Sequence, residues 1–212
     1  MPPYATLIAR LETALRGDLP GADAHQWLAP RPRRQWPQGF NPARVRHAAG
    51  FLLVFPIGDR AHIVLTVRAD SVRHAGQVSL PGGVVEPGET YEQAARRETL
   101  EEIALPVDAA RVLGPLTPID IPVSGFRLHP IVAAIDARPA LRPSDAEVAE
   151  ILEIDVDALR DPTNFLTRER VRDGRPLTVP GFHVAGHEIW GATAMVLAEF
   201  LVLLGWSPAQ WP

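Results

Sequence analysis

Reading along the chain, hydrophobic and polar positions change rhythm several times. Residues 48–57, "AAGFLLVFPI", and 61–69, "AHIVLTVRA", are apolar, β-branched runs separated by "GDR", which predicts two strands joined as a hairpin. "GQVSLPGG" reads as a third, short strand ending in a turn. Further on, "RVLGPLTPI", "RLHPIVAAI" and "VAEILEID" are strand candidates bounded by Pro and Gly, and "DVDALRD" is a helical turn. "RPLTVPGFHVAGHEIWG" supplies two last short strands. A helix is expected after the third strand, from about Tyr91, because Thr90 and Gln93 have capping-box spacing and Ala94 and Ala95 favour helix. Another is expected from about Ala192 to Leu204. Helices on both faces of a mixed β-sheet make an α/β/α sandwich the economical arrangement.

The start of the chain reads differently. "MPPYATLIARLETALRGDLPG" has the spacing of an amphipathic helix, with charges interrupting its apolar positions, so it is not a secretory signal. Residues 17–45, rich in Pro, Arg, Trp and Gln, read as an irregular arm, and its Arg31, Arg33 and Arg34 as a solvated loop. The expected division is therefore an N-terminal helix and arm over 1–45 and one domain over 46–206. Two placements stand open for the first helix and arm, a homodimer contact or a fold back over the domain. "ATAMVLAEFLVLLGW" is the most apolar stretch, but it carries Glu199 and falls short of the ~20 residues a spanning helix needs. A buried helix is expected there, and no membrane partner.

Charge and composition then narrow the chemistry. A net charge of −4 over 212 residues gives no general field for nucleic acid. All 21 basic residues are Arg, which excludes Schiff-base lysines and a Walker-type phosphate lysine. The absence of Cys excludes thiolate nucleophiles, disulfides and cysteine-bound zinc, and it is compatible with a reducing, cytoplasmic location. His183 and His187 stand four apart, but the neighbouring Pro180, Gly181 and Gly186 argue against a helical zinc pair. His129 reads as a packed strand residue, and Trp190 as packing at the start of the last helix.

The stretch "PGGVVEPGETYEQAARRETLEEIAL" holds the densest candidate chemistry. At about 100° per residue, Glu98, Glu101 and Glu102 share one helix face, with Thr99, Leu100 and Ile103 opposite. The apolar side is expected to pack on the sheet and the acidic side to look outward. Like charges three and four apart cost only roughly 0.2–0.5 kcal/mol each, so a solvated acidic face paired with Arg96 and Arg97 is the plain alternative. The glycine turn at Gly82 and Gly83 favours a second reading, since close backbone approach brings carbonyl and N–H groups beside the carboxylates. Converging hard oxygens suit Mg²⁺ or Mn²⁺, ions that assist hydrolysis of a diphosphate.

Residues 83–105 resemble the Nudix box, G-x5-E-x7-R-E-U-x-E-E-x-G-U with U aliphatic. Gly83, Glu89, Arg97, Glu98, Glu101, Glu102 and Leu105 match at the correct spacings, while Thr99 and Ala104 depart. The resemblance implies the Nudix fold and metal-dependent hydrolysis of a nucleoside diphosphate linked to another moiety, a small-molecule substrate. It makes Glu98 and Glu102 the main metal ligands and Glu101 a further ligand or a water-activating group. Arg97 is then an orienting residue paired with Glu89, and a carbonyl at Gly82 or Gly83 completes the metal shell.

Outside the box, "LTVRADSVRHAGQVSLPGG" resembles the segment preceding the box in coenzyme A diphosphatases, through Leu65, Thr66, Arg68, Ala69, Arg73, Gly76, Pro81, Gly82 and Gly83. The Arg73-to-Gly76 interval is one residue short and Leu80 stands for Phe. "PSDAEVAEI" and "IWGATAMVLAEF" resemble two further segments of that subgroup. The resemblance implies cleavage of coenzyme A or acyl-coenzyme A to 3′,5′-ADP and (acyl-)4′-phosphopantetheine. Arg68 and Arg73 are then phosphate partners and Glu147 a general base or extra ligand, with Glu150 and Asp145 as rivals. ADP-ribose, a dinucleotide or a nucleoside triphosphate is the alternative substrate; a non-catalytic nucleotide sensor is the alternative of another class.

Overall fold

The computed structural model describes residues 2–69, 76–106, 108–143, 147–172 and 174–207; Arg73 and Asp145 lie outside them. After helices α1 (Tyr4–Ala14) and α2 (Gly21–Leu28) come strands β1 (Arg46–Ile57), β2 (Arg60–Arg68), β3 (Val78–Ser79) and β4 (Gly82–Val84). Helix α3 (Tyr91–Ile103) precedes β5 (Arg111–Pro115), β6 (Ile119–Ile121), β7 (Phe126–Ala134) and β8 (Val148–Asp155). Strands β9 (Phe165–Arg172), β10 (Arg175–Val184) and β11 (His187–Trp190) lead into α4 (Ala192–Leu203).

The main sheet is mixed, as expected. β1 runs parallel to β7 and antiparallel to β2 and β4, while β3 and β8 join β2, and β5 and β6 join β7. "GQVSLPGG" therefore holds two strands rather than one, because the chain crosses from the edge of β2 to the edge of β1 between them. Alternation along β1 sorts the core into two layers. Ala49, Phe51, Leu53 and Phe55 pack with Ala94, Ala95 and Ile103 of α3. Leu52 and Val54 face the other way, onto α1 and α4. The result is the sandwich expected from the order of elements.

Helix α4 is apolar around nearly its whole circumference, which only a fully buried helix tolerates. Among the described residues no helix is long and apolar enough to cross a membrane. Its single acid, Glu199, is completely buried and accepts hydrogen bonds from Gly21 N (3.1 Å), Thr117 N (3.1 Å) and Thr117 Oγ1 (2.6 Å). His25 Nε2 lies 2.8 Å from the same carboxylate.

The N-terminal region corrects one expectation. Residues 17–45 are not wholly irregular, since α2 forms within them and packs on α4. Leu7, Leu11 and Leu28 are fully or almost fully buried in the layer opposite α3, so neither helix covers the α3 face. Further along, Arg31 and Thr178 exchange two backbone hydrogen bonds, tying the arm to β10. β9 is a second difference. Its sequence "FLTRERVR" lacks an apolar face because the strand lies at the edge of a separate three-stranded sheet, β11–β10–β9, largely in solvent.

Candidate active site

Helix α3 starts where its capping box places it. Thr90 Oγ1 accepts from Gln93 N (3.2 Å), and Gln93 Oε1 accepts from Thr90 N (2.8 Å). It ends at Ala104, whose φ of 56° and ψ of 28° are left-handed. This is the position where the box carries glycine; an alanine there costs about 1 kcal/mol.

The orientation of the helix differs from the expectation of an acidic side turned outward. Leu100 is exposed, whereas Glu102 is only 5% exposed and Glu98 is largely covered. The reason lies in β4. A side chain at Gly83 would occupy the space taken by the Glu98 carboxylate, and one at Gly82 would strike the backbone of Ala49. With both side chains absent, the carboxylates fit against the turn. Glu102 Oε2 accepts the Gly82 N–H at 3.0 Å, an offset for its burial. Thr99 is buried and satisfied by donating to Ala95 O at 2.6 Å.

Arg97 organises the surroundings. Its Nε and Nη2 donate to both Glu89 oxygens (2.8 and 3.0 Å), Nη2 also to Val84 O (3.0 Å), and Nη1 to Glu98 Oε1 (2.8 Å). These fork contacts hold the Glu89 carboxyl down at about 2. Glu101 is 58% exposed, with Arg97 Nη1 3.5 Å from its carboxylate.

The structure brings two residues outside the box to the same place. Ala69 N donates to Glu147 O (2.9 Å) at the join of β2 and β8, and the Glu147 charge adds slightly to the upward shift that burial imposes on both Glu98 and Glu102. The Arg68 charge acts on Glu102 in the opposite sense. Glu150 does not join them: it pairs in register with inward-facing Val67 and lies 3.2 Å from His187 Nε2.

Burial pushes the Glu102 carboxyl up to about 7; the Gly82 N–H opposes this, and the neighbouring Glu98 charge adds to it. Glu98 is raised for the same first reason, burial. The folded protein thus holds the Glu102 proton more tightly than the unfolded chain, whose carboxyl titrates near 4.5. Its stabilising contribution is complete below that pH and is lost as pH rises toward 7. In metal-free protein, urea unfolding should show wild type losing on the order of 2–3 kcal/mol relative to Glu102→Gln between pH 4.5 and 7.5. A difference that stays flat with pH would remove the argument.

Divalent metal fits this donor set. Among the described residues no three acidic or histidine side chains already form a metal cage. Mg²⁺-like ions commonly take one or two carboxylates and complete their shell with water and substrate phosphate. Glu98 and Glu102, both lying against one backbone turn, supply that number.

Sequence reasoning passed over a group beside the first turn of α3. His47 Nδ1 and His129 Nε2 are 2.9 Å apart, and the Tyr91 ring stacks on His129 with centroids 3.6 Å apart at 11°. Burial, then the His47 and Arg127 charges, hold His129 down at about 4. His129 is thus packed on its strand, as expected, but within a polar pair. The helical spacing of Tyr91 with Glu98 and Glu102 was a legible signal; the parallel pairing of β1 with β7 was not.

The sheet is covered on both faces, and a glycine turn beside it holds two carboxylates of one helix. Residues 46–173 match the NUDIX domain, and the chain belongs to the Nudix hydrolase family. It is 31% identical over 176 residues to an uncharacterized Nudix hydrolase NudL of Pectobacterium atrosepticum, covering 82% of this chain and 91% of that one. A NudL of Salmonella paratyphi B is 34% identical over 148 residues, covering 69% and 77%. Among solved structures, the Nudix hydrolase RenU from M. smegmatis superposes with a TM-score of 0.53 at 22% identity, covering 76% of this chain and 86% of that one. The protein is therefore an enzyme, a hydrolase of small nucleoside diphosphate-linked compounds.

Proposed function

We propose that the substrate is coenzyme A or an acyl-coenzyme A, cleaved to 3′,5′-ADP and (acyl-)4′-phosphopantetheine with Mg²⁺ or Mn²⁺. The observation that carries this reading is that the Glu147 charge reaches both Glu98 and Glu102 while the Arg68 charge reaches Glu102. Both belong to segments that resemble the coenzyme A subgroup, one before the box and one far after it, and β2–β8 pairing supplies the meeting point.

Glu98 and Glu102 would hold the ion, with the Gly82 carbonyl completing the protein's share and Glu101 joining from the exposed side. When bound, such an ion neutralises phosphate oxygens and acidifies water. Glu147 accepts the proton of the attacking water. The new bond forms between that water oxygen and one phosphorus, and the bridging P–O bond to the other phosphate breaks. Arg68 offers positive charge to the diphosphate, and Arg97 keeps Glu98 and the Glu89 turn in position without touching substrate. Arg73, outside the described residues, is assigned to the 3′-phosphate.

The test is a product assay on purified protein with each metal and a panel of coenzyme A, acetyl-coenzyme A, ADP-ribose, NADH and nucleoside triphosphates. Dominant release of 3′,5′-ADP supports the reading; cleavage of other panel members alone reassigns the substrate. Arg73→Ala should lose about tenfold or more in kcat/KM on coenzyme A while changing little on its dephospho form. Equal losses on both would detach Arg73 from the 3′-phosphate.

A further inference from the structure

Between the start of β1, the end of β4 and the first turn of α3 lies a cavity of about 670 Å³, lined in part by Arg46, His47, Val84, Val85 and Tyr91. Tyr91 is unusual there. A large aromatic ring gains most by burial, yet this one is 41% exposed, with His129 stacked against it. It is held ready by that stack rather than by the core.

We propose that this cavity is the subsite for the planar base of the nucleotide, which stacks on Tyr91. The inference rests on the nucleoside diphosphate reading and adds to it where the base sits. Three further observations support it. Tyr91, Glu98 and Glu102 are spaced i, i+7 and i+11, which places them on one face of α3, with Tyr91 about 10 Å along the axis from Glu98. That separation suits a base joined through its sugar to a diphosphate held at the carboxylates.

The polar edge of the cavity is equally suited to a base. His47 Nδ1 is engaged with His129 Nε2, so the tautomer of the pair decides whether His47 Nε2 donates or accepts. Either form matches a polar atom on the edge of a nucleobase. Arg46 is fixed at the rim by its guanidinium stacking 3.9 Å above the Phe126 ring and by donating to Ser124 O at 3.0 Å. Glu89 also lines the cavity but is paired with Arg97, so Arg46 is the cation left beside the aromatic platform for an anionic nucleotide.

The experiment compares binding of 3′,5′-ADP and of ribose 5-phosphate, which lacks the base, to full-length wild type, Tyr91→Phe, Tyr91→Ala and His47→Ala by calorimetry. Tyr91→Ala should weaken 3′,5′-ADP roughly ten- to a hundredfold, and Tyr91→Phe no more than about threefold, with ribose 5-phosphate unaffected by either. Because His47→Ala alters the base edge without removing the platform, it should weaken 3′,5′-ADP by several-fold. Equal affinities of wild type and Tyr91→Ala, or no measurable binding of 3′,5′-ADP by wild type, overturn the subsite. The two readings fail separately: Tyr91-dependent binding of 3′,5′-ADP with no release of 3′,5′-ADP from coenzyme A keeps the subsite and removes the coenzyme A reading, whereas coenzyme A cleavage that ignores Tyr91 does the reverse.

Discussion

Glu102→Gln is expected to lower turnover by a hundredfold or more, roughly, while leaving the protein folded. The amide oxygen still accepts the Gly82 N–H that Glu102 Oε2 accepts now, so the glycine turn keeps its partner. What disappears is the negative charge that an ion would neutralise, and ion-borne stabilisation of a phosphoryl transition state is worth several kcal/mol. The same charge is the one that burial and Glu98 make unfavourable in the metal-free protein. The variant should therefore unfold no earlier than wild type at neutral pH without metal. Steady-state rates with saturating Mg²⁺, alongside urea unfolding, separate the two effects. Wild-type turnover in a well-folded variant would end the metal role of Glu102.

The second large effect belongs to the opposite layer. Glu199→Ala removes a fully buried carboxylate that accepts from Gly21 N, Thr117 N and Thr117 Oγ1 and meets His25 Nε2. Those partners come from α2 and from the link between β5 and β6, so one side chain satisfies two separate segments. Removing one member of a buried polar set strands the others, and about 3–5 kcal/mol of stability should be lost. That is a large fraction of the 5–15 kcal/mol typical of a domain. Because α3 packs on the other face, the folded fraction should retain its kcat. A loss under about 1 kcal/mol by denaturant titration would mean that the segments find other partners.

How much of this was legible follows from the range over which each determinant acts. The cap of α3, the glutamate spacing and the glycine turn are local, so the box could be read from residues 83–105 alone. The strands of the main sheet announced themselves through apolar runs in β1, β2 and β7. β9 did not, because an edge strand in solvent needs no apolar face, and its charges resemble a loop. α2 was hidden by its shortness and by the prolines around it. The rotation of α3 misled for a subtler reason: periodicity identifies a polar face but not what lies across from it. Only the missing side chains of Gly82 and Gly83 make that space fit for carboxylates. Glu147 was reachable through its segment's resemblance, whereas the His47–His129 pair depends on the register of two parallel strands 82 residues apart.

The close fit of Glu98 over Gly83 also bears on how such a chain can change through descent. A methyl group at 83 displaces the carboxylate, so the acid at 98 and the lack of a side chain at 83 form one heritable unit. A lineage that kept the fold but gave up the reaction would lose the reason for the glycine when it lost the reason for the acid. Drift at 83 would then follow change at 98 more readily than it could precede it, and the order of the two substitutions would record when the chemistry was abandoned.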